Sequence, residues 1–269
     1  MALCINCVSG DVIPGTPRGQ IQKIGPYDTY VSKPSSSENQ TGNDKAVVLF
    51  TDVFGLALTN IKLIADIISD RTGITTFVPD LFHGKPIDPA GMSIPSSATE
   101  IRGKSFVSKI TTTAKMLTFA PWVYRNWPTS KYNDVETFLS ALKETQSVKR
   151  VGASGYCYGG KLAIDFNTKG LVDVTVVNHP SFVNASSFAD LKGPILFNCA
   201  EEDDMFPVKT VEQVRAMLDN NDKAPKHDFK VFKGTAHSFC ARPNLADEHV
   251  KKGFEEATSR TADWFKSHL

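Results

Sequence analysis

A cysteine flanked by glycines, Cys157 in "GYCYGG", has the residue type and the spacing for nucleophilic chemistry. Gly155 and Gly159 stand at the spacing of a nucleophile elbow, a sharp strand-to-helix turn that exposes its central side chain and needs small neighbours. At the start of a helix, free backbone N–H groups and the helix dipole favour a thiolate over a thiol. The spacing predicts a nucleophilic cysteine; the alternative is a small side chain that only packs the turn, because free cysteines are commonly buried.

An acidic cluster and a histidine follow Cys157 in the order that α/β-hydrolases use for nucleophile, acid and base. The segment "FNCAEEDDMFP" places the cluster at 201–204 after a predicted strand, and "KGTAHSF" places His237 after the next one. A histidine there can take the thiol proton while a carboxylate orients its ring. The order of the three groups favours covalent catalysis over simple packing of the cysteine.

Alternating strand and helix patterns must position these groups. The run "AVVLFT" (46–51) is typical of a strand buried on both faces of a parallel sheet. Apolar residues from Leu58 to Ile68 then recur at helical spacing, and Gly73 is predicted to end that helix. The alternation predicts a doubly wound, mostly parallel sheet with helices on both faces. Further predicted strands are "ITTFVPD", "VKRVGAS", "VDVTVVN", "GPILFNCA" and "HDFKVFKG", and further predicted helices are about 100–117, 133–145, "YGGKLAIDF" and 245–267.

Reactive side chains follow five of the predicted strands. In a parallel sheet the ligand crevice lies beyond the carboxyl ends of the strands, so these side chains are expected to share one edge. They are Asp52, Cys157, His179, the pair Asp203 and Asp204, and His237.

Length and composition limit the class of protein to which the chain can belong. We expect a single domain over residues 1–269, with an N-terminal arm over 1–25 and a segment that covers the site over about 83–130. A formal net charge of +1 predicts no nucleic-acid partner. The absence of a signal-peptide pattern and of any run near the ~20 apolar residues of a membrane span predicts a cytoplasmic protein with no membrane partner.

The cysteines do not indicate disulfides or a metal. Five is an odd number, which does not suit a disulfide framework. Cys4 and Cys7 lack the second ligand pair that a structural zinc site needs, so we expect no metal. "GYCYGGK" lacks the spacing of a phosphate-binding loop, and the chemistry outlined above needs no cofactor.

From about Val47 to the C-terminus the chain resembles the dienelactone hydrolase family, cysteine-dependent hydrolases of the α/β-hydrolase fold. The stretches that carry the resemblance are "TDVFGL", "FVPDLF", "VGASGYCYGGKLA", "EEDDMFP" and "GTAHSF". The resemblance implies that Cys157 is the nucleophile, His237 the base and Asp203 the acid that orients it. It also implies an oxyanion hole formed by the backbone N–H groups of Val53 and Tyr158.

Two positions depart from the family pattern. Asp52 stands where well-known members have a glutamate that controls the thiol, and is shorter by one methylene. Arg242 comes one residue later than the family's substrate-binding arginine, whose own position holds Ala241. The resemblance therefore supports the chemistry better than it supports dienelactone as the substrate.

Other candidates for the pocket follow from position. His179 follows a strand, and Trp122, Tyr124 and Trp127 lie in the segment expected to cover the site; core packing is the alternative for these aromatic residues. Arg102 and Arg125 are candidates for an anionic substrate group, with solvation at the surface as the alternative. Cys199 is expected in the core, and Cys240 near His237.

These observations predict a cysteine-dependent hydrolase of small-molecule esters or lactones that works through a thioester at Cys157. An activated lactone or enol ester suits a thiol nucleophile better than an unactivated ester. The alternative is a non-catalytic ligand-binding protein or thiol redox sensor, in which Cys157 is oxidised but turns over no ester.

Overall fold

The computed structural model describes residues 12–36, 44–88 and 119–269. Within these ranges eight strands form one sheet in the order β1-β2-β4-β3-β5-β6-β7-β8. The strands are β1 (Gln20–Ile24), β2 (Tyr27–Ser32), β3 (Lys45–Phe50), β4 (Thr76–Pro79), β5 (Arg150–Tyr156), β6 (Val174–Asn178), β7 (Ile195–Glu202) and β8 (His227–Ala236).

The sheet is parallel from β4 to β8, and β2 is antiparallel to both of its neighbours. The predicted mostly parallel sheet is therefore confirmed. Strands β3, β5 and β6 are almost entirely buried, as their continuous apolar sequences predict for the centre of such a sheet.

Helices cover both faces of the sheet. One apolar cluster joins α1 and α6 to the sheet, and a second joins α3, α4 and α5 to its other face. Gly73 ends α1 with a left-handed φ of 72°, as predicted. The described helices are α1 (Thr59–Thr72), α2 (Ala120–Arg125), α3 (Tyr132–Thr145), α4 (Tyr158–Thr168), α5 (Val208–Asp219) and α6 (Glu248–His268).

Two boundaries differ from the sequence-based expectation. The expected N-terminal arm of residues 1–25 includes β1, which pairs with β2 across the two-residue turn Gly25-Pro26. Strands β1 and β2 were not predicted: β1 is largely exposed and has no apolar run, and β2 is mostly buried but mixes polar residues with apolar ones. Helix α6 begins at Glu248 rather than 245, because the Asp247 side chain caps it by accepting the N–H groups of His249 and Val250.

Some of the residues and segments predicted from the sequence lie outside the described residues. These include Cys4, Cys7, Arg102, the predicted helix over 100–117 and most of the segment expected to cover the site. Within the described ranges, no helix has both the length and the apolar character needed to cross a membrane.

Candidate active site

Cys157 occupies a tight turn between β5 and α4. Its backbone has φ 51° and ψ −110°, a conformation rarely adopted by residues other than glycine. A Cβ at Gly159 would lie 2.1 Å from the Phe50 carbonyl oxygen, and one at Gly155 would lie 2.3 Å from the Gly159 oxygen. The two glycines therefore allow the chain to turn this sharply. This is the need for small neighbours that the sequence spacing predicted.

His237 and Asp203 form a buried pair after β8 and β7. The His237 Nδ1 atom lies 2.8 Å from Asp203 Oδ2, and both side chains are almost completely buried. Asp203 Oδ1 accepts the backbone N–H groups of Met205 and Phe206, which fix the orientation of the carboxylate. Asp204 is exposed, so the structure places Asp203, and not its neighbour, against the histidine.

Ser181 contacts both Cys157 and His237. Its Oγ atom is 3.3 Å from Cys157 Sγ and 3.4 Å from His237 Nε2. The sequence analysis did not select Ser181, although it follows β6 by three residues and the rule that selected His179 applies to the same loop. A search that extended a few residues past each strand end would have included it.

Asp52 and Arg242 form a buried ion pair beside the cysteine. Asp52 Oδ2 lies 3.6 Å from Arg242 Nε, and Asp52 Oδ1 accepts the Phe54 N–H. The pKa of Asp52 is raised to about 6, chiefly by burial; the positive charge of Arg242 lowers it, and the negative charge of a Cys157 thiolate raises it. Asp52 is thus electrostatically coupled to Cys157 despite its shorter side chain.

Arg242 is packed as well as paired. Its guanidinium lies 4.4 Å from the centre of the Phe54 ring, and one of its N–H groups donates to Ser238 Oγ at 3.4 Å. Only 5% of the residue is exposed. The arginine that the sequence offered for substrate binding is therefore brought into the site as the partner of Asp52.

His179 is fully buried with its ring edge-on to His237, the ring centres being 4.8 Å apart. Among the described residues neither ring nitrogen has a hydrogen-bond partner. The pKa of His179 is well below its usual value, chiefly because of burial, and a positive charge on His237 contributes to this lowering. A neutral histidine thus packs against the proposed base.

Aromatic rings connect the predicted cover segment to the helix that follows Cys157. Phe182 packs edge-on against both Trp127 and Tyr158. Phe82 packs at a tilt against Trp122, with ring centres 4.9 Å apart, and edge-on against Tyr158, with ring centres 5.3 Å apart. Trp122 and Trp127 are therefore linked, each through one intervening ring, to the residue next to the cysteine.

The other candidates from the sequence are either exposed or buried in the core. Tyr124 is 88% exposed, and Arg125 is exposed at the end of α2. Cys199 and Cys240 are buried, and burial raises the pKa of both thiols. Within the described residues, no three histidine, cysteine, aspartate or glutamate side chains converge as a metal site.

The backbone N–H groups of Val53 and Tyr158 flank the turn. Val53 follows β3, and Tyr158 is the first residue of α4. In residues 12–36, 44–88 and 119–269, neither group donates a hydrogen bond to another protein atom. Tyr158 directly follows the cysteine, and an oxyanion hole formed by these two N–H groups stays a prediction.

The sheet order, the elbow and the converging strand ends define an α/β-hydrolase. The chain belongs to the dienelactone hydrolase family, whose model matches residues 27–269. This confirms the resemblance inferred from the sequence and makes the protein a hydrolase of the ester and lactone class.

Relatives agree with this assignment, and a solved structure shares the fold. The chain is 28% identical to "Hydrolase pyvD" of Aspergillus violaceofuscus, over 98% of this chain and 96% of that protein. It is 28% identical to the "Carboxymethylenebutenolidase homolog" of Xenopus tropicalis, over the same shares of the two chains. The Pyrococcus furiosus esterase Pf2001 has the same fold, with a TM-score of 0.60 at 12% identity over 97% of this chain and 98% of its own.

Proposed function

We propose that this protein hydrolyses small-molecule esters or lactones through a thioester on Cys157, with His237 as the base and Asp203 as the orienting acid. The observation that carries the proposal is the convergence of three groups from separate strand ends. Cys157 sits in a strained turn at a helix start, while His237 and Asp203 pair at 2.8 Å in the same buried site.

In the first step the Cys157 thiolate attacks the carbonyl carbon, and the carbonyl oxygen becomes negatively charged. The N–H groups of Val53 and Tyr158 supply hydrogen bonds to that oxygen, a contribution of about 3 kcal/mol for one such donor. The imidazolium of His237 then gives its proton to the departing alkoxide. In the second step His237 takes a proton from water as the water oxygen attacks the thioester carbonyl; the C–S bond then breaks, which releases the acid and restores the Cys157 thiolate.

The thiol nucleophile favours an activated lactone or enol ester as the substrate, and the surroundings of the site bear on the charge and polarity of that substrate. Asp52 opposes the charge of Arg242, so the arginine offers a weaker site for a substrate carboxylate than an unpaired guanidinium would. The aromatic rings of Trp127 and Phe182 supply apolar contacts on one side of Tyr158. The proposal therefore includes the ester or lactone chemistry and leaves dienelactone as one substrate to test.

The test is hydrolysis of a small activated aryl ester by the wild type and by Cys157→Ala and His237→Ala. We expect each variant to lose at least about 1,000-fold in kcat, because nucleophile and base act as one unit. Intact mass after rapid acid quench should show an acyl adduct on the wild type that Cys157→Ala lacks.

Cys199→Ala is the matched control, because it removes an equally buried thiol from β7. It should retain turnover and the adduct. Equal rates for the wild type, Cys157→Ala and His237→Ala, with no adduct on any of them, would contradict the proposal and favour the thiol-sensor alternative.

A further inference from the structure

Ser181 is held in place by the same turn that holds Cys157. Its backbone N–H donates to the Cys157 carbonyl oxygen at 2.9 Å, so its position is tied to that of the nucleophile. The residue is 1% exposed, and its Oγ lies 3.3 Å from Cys157 Sγ and 3.4 Å from His237 Nε2. A hydroxyl is therefore fixed within hydrogen-bond reach of both atoms that must exchange a proton.

The hydrogen-bond directions suit a transfer through this hydroxyl. The Asp203 carboxylate can only accept, so the His237 Nδ1 facing it carries a proton and Nε2 presents a lone pair. A serine hydroxyl has one donor and two acceptor positions, so it can donate to Nε2 while it accepts the thiol S–H. One orientation of Ser181 satisfies both contacts.

We propose, on the basis of the proposed function, that Ser181 is a further catalytic residue that relays the proton from Cys157 to His237. The S–H bond of Cys157 breaks and its proton joins Ser181 Oγ, while the original Ser181 proton moves to His237 Nε2. The products are a thiolate, an imidazolium and an unchanged serine. The new O–H of Ser181 then donates to the thiolate and stabilises it.

Other ionisable groups also act on the cysteine and the histidine. The Asp52 carboxylate opposes the thiolate, Arg242 offsets that charge, and Asp203 favours the imidazolium. His179, packed on His237, is kept neutral by burial. All four groups are unchanged in a Ser181 variant, so a change in thiol titration reports the hydroxyl.

The experiment is the pH dependence of Cys157 alkylation by iodoacetamide, read by intact mass, in the wild type and in Ser181→Ala. We expect the midpoint of alkylation to move up by about one pH unit, because a hydrogen bond to a charged group contributes roughly that much. Aryl ester acylation should fall about tenfold or more. Ser69→Ala is the matched control, because it removes one hydrogen bond from a fully buried serine in α1 and should keep the wild-type midpoint.

Ser181→Thr and Ser181→Val form a second pair with the same shape, of which only the threonine keeps the hydroxyl. The midpoint should be higher for the valine variant than for the threonine variant, which provides the comparison if Ser181→Ala does not fold. Equal midpoints for this pair, or a wild-type midpoint for Ser181→Ala, would overturn the relay. The proposed ester hydrolysis would not be contradicted by either result. If the wild type does not hydrolyse the aryl ester, the proposed function is contradicted instead. The alkylation midpoints would still decide the role of Ser181.

Discussion

The backbone at Cys157 is held in its unusual conformation by neighbouring peptide groups. Its N–H donates to the Asn178 oxygen, and its carbonyl oxygen accepts the N–H groups of Gly160 and Ser181. A residue in such a conformation costs about 1–3 kcal/mol, which these three hydrogen bonds help to offset. The turn is thereby rigid, and the thiol is presented to the groups that follow β6 and β8.

Asp52 should control how much of Cys157 is ionised. At pH 7, above its pKa of about 6, Asp52 is mostly charged and opposes the thiolate. Asp52→Asn removes that charge and leaves the positive charge of Arg242 in place. We therefore expect Cys157 in the variant to be alkylated by iodoacetamide about three- to tenfold faster than in the wild type at pH 7.

The difference in alkylation rate between the wild type and Asp52→Asn should depend on pH. Below pH 6 the wild-type carboxyl becomes protonated, so the rates for the wild type and Asp52→Asn should converge toward pH 5. Asp66→Asn is the control, because Asp66 is a buried carboxylate that bonds Tyr30 and Arg18 rather than the site. An Asp52→Asn rate equal to or below that of the wild type at pH 7 would show that Asp52 does not oppose the thiolate.

At the scale of elements, the start of α4 lies directly against the end of β3. The Gly159 N–H donates to the Thr51 oxygen, and the Gly159 Cα faces the Phe50 carbonyl. Strand β3 also leads into Asp52 and Val53, so this contact sets the distance between the elbow and the proposed oxyanion donors. A small residue at 159 is needed for this contact and for the spacing that depends on it.

Gly159→Ala should therefore separate α4 from β3. The new Cβ would lie 2.1 Å from the Phe50 carbonyl oxygen. Because that oxygen belongs to the backbone, only a movement of the backbone can relieve the clash. We expect a loss of roughly 3 kcal/mol or more in the free energy of unfolding in urea, and at least about 100-fold in aryl ester turnover.

Gly84→Ala is the comparison for this variant. Gly84 has φ 72°, and no atom of the described chain lies within 4 Å of its added Cβ, so only backbone strain of about 1–2 kcal/mol is expected. Turnover should be retained. If Gly159→Ala behaves like Gly84→Ala in both measurements, the close approach of α4 to β3 is not required for the site.

At the scale of the whole molecule, the parallel sheet explains why the main candidates could be found in the sequence. Cys157, Asp203 and His237 each follow a strand with a clear apolar pattern, and the carboxyl ends of parallel strands must share one edge. Strands β1 and β2 were not predicted, β1 because an exposed edge strand has little apolar signal; the turn dipeptide Gly25-Pro26 between them was the available clue.

The finer contacts depend on how loops fold back onto the sheet. Arg242 reaches Asp52 because a turn after β8 brings it over Phe54, and no periodicity in the sequence encodes that approach. Ser181 reaches Cys157 because the loop after β6 bonds back to the elbow. Such contacts follow from the tertiary packing of short loops, which local sequence patterns do not determine.

A buried chain of polar side chains connects the strands that carry the site. Asn178 on β6 donates to Ser154 on β5 and accepts from Asn198 on β7. Asn198 also donates to Thr261 on α6 and accepts from Arg260 Nε. The network joins three strands and one helix behind the edge where Cys157, Ser181 and Asp203 emerge, and it opposes sliding of these strands.

Asn198→Leu should loosen this arrangement. The substitution keeps a side chain of similar size but leaves the Asn178 oxygen and its neighbours in α6 without their buried partner. Buried polar groups left unsatisfied cost about 1–3 kcal/mol each, so we expect at least about 2 kcal/mol less stability in urea. Aryl ester kcat should also fall, because the strand ends that carry the catalytic groups lose a fixed spacing.

Asn220→Leu provides the reference for this substitution. Asn220 makes one exposed hydrogen bond at the end of α5, so the same exchange there should change stability by about 0.5 kcal/mol or less and leave turnover unchanged. If Asn198→Leu is as stable as the wild type, the apolar packing of the sheet alone holds the strand ends in place. If it is destabilised but retains full kcat on the folded enzyme, the network stabilises the fold without setting the geometry of the site.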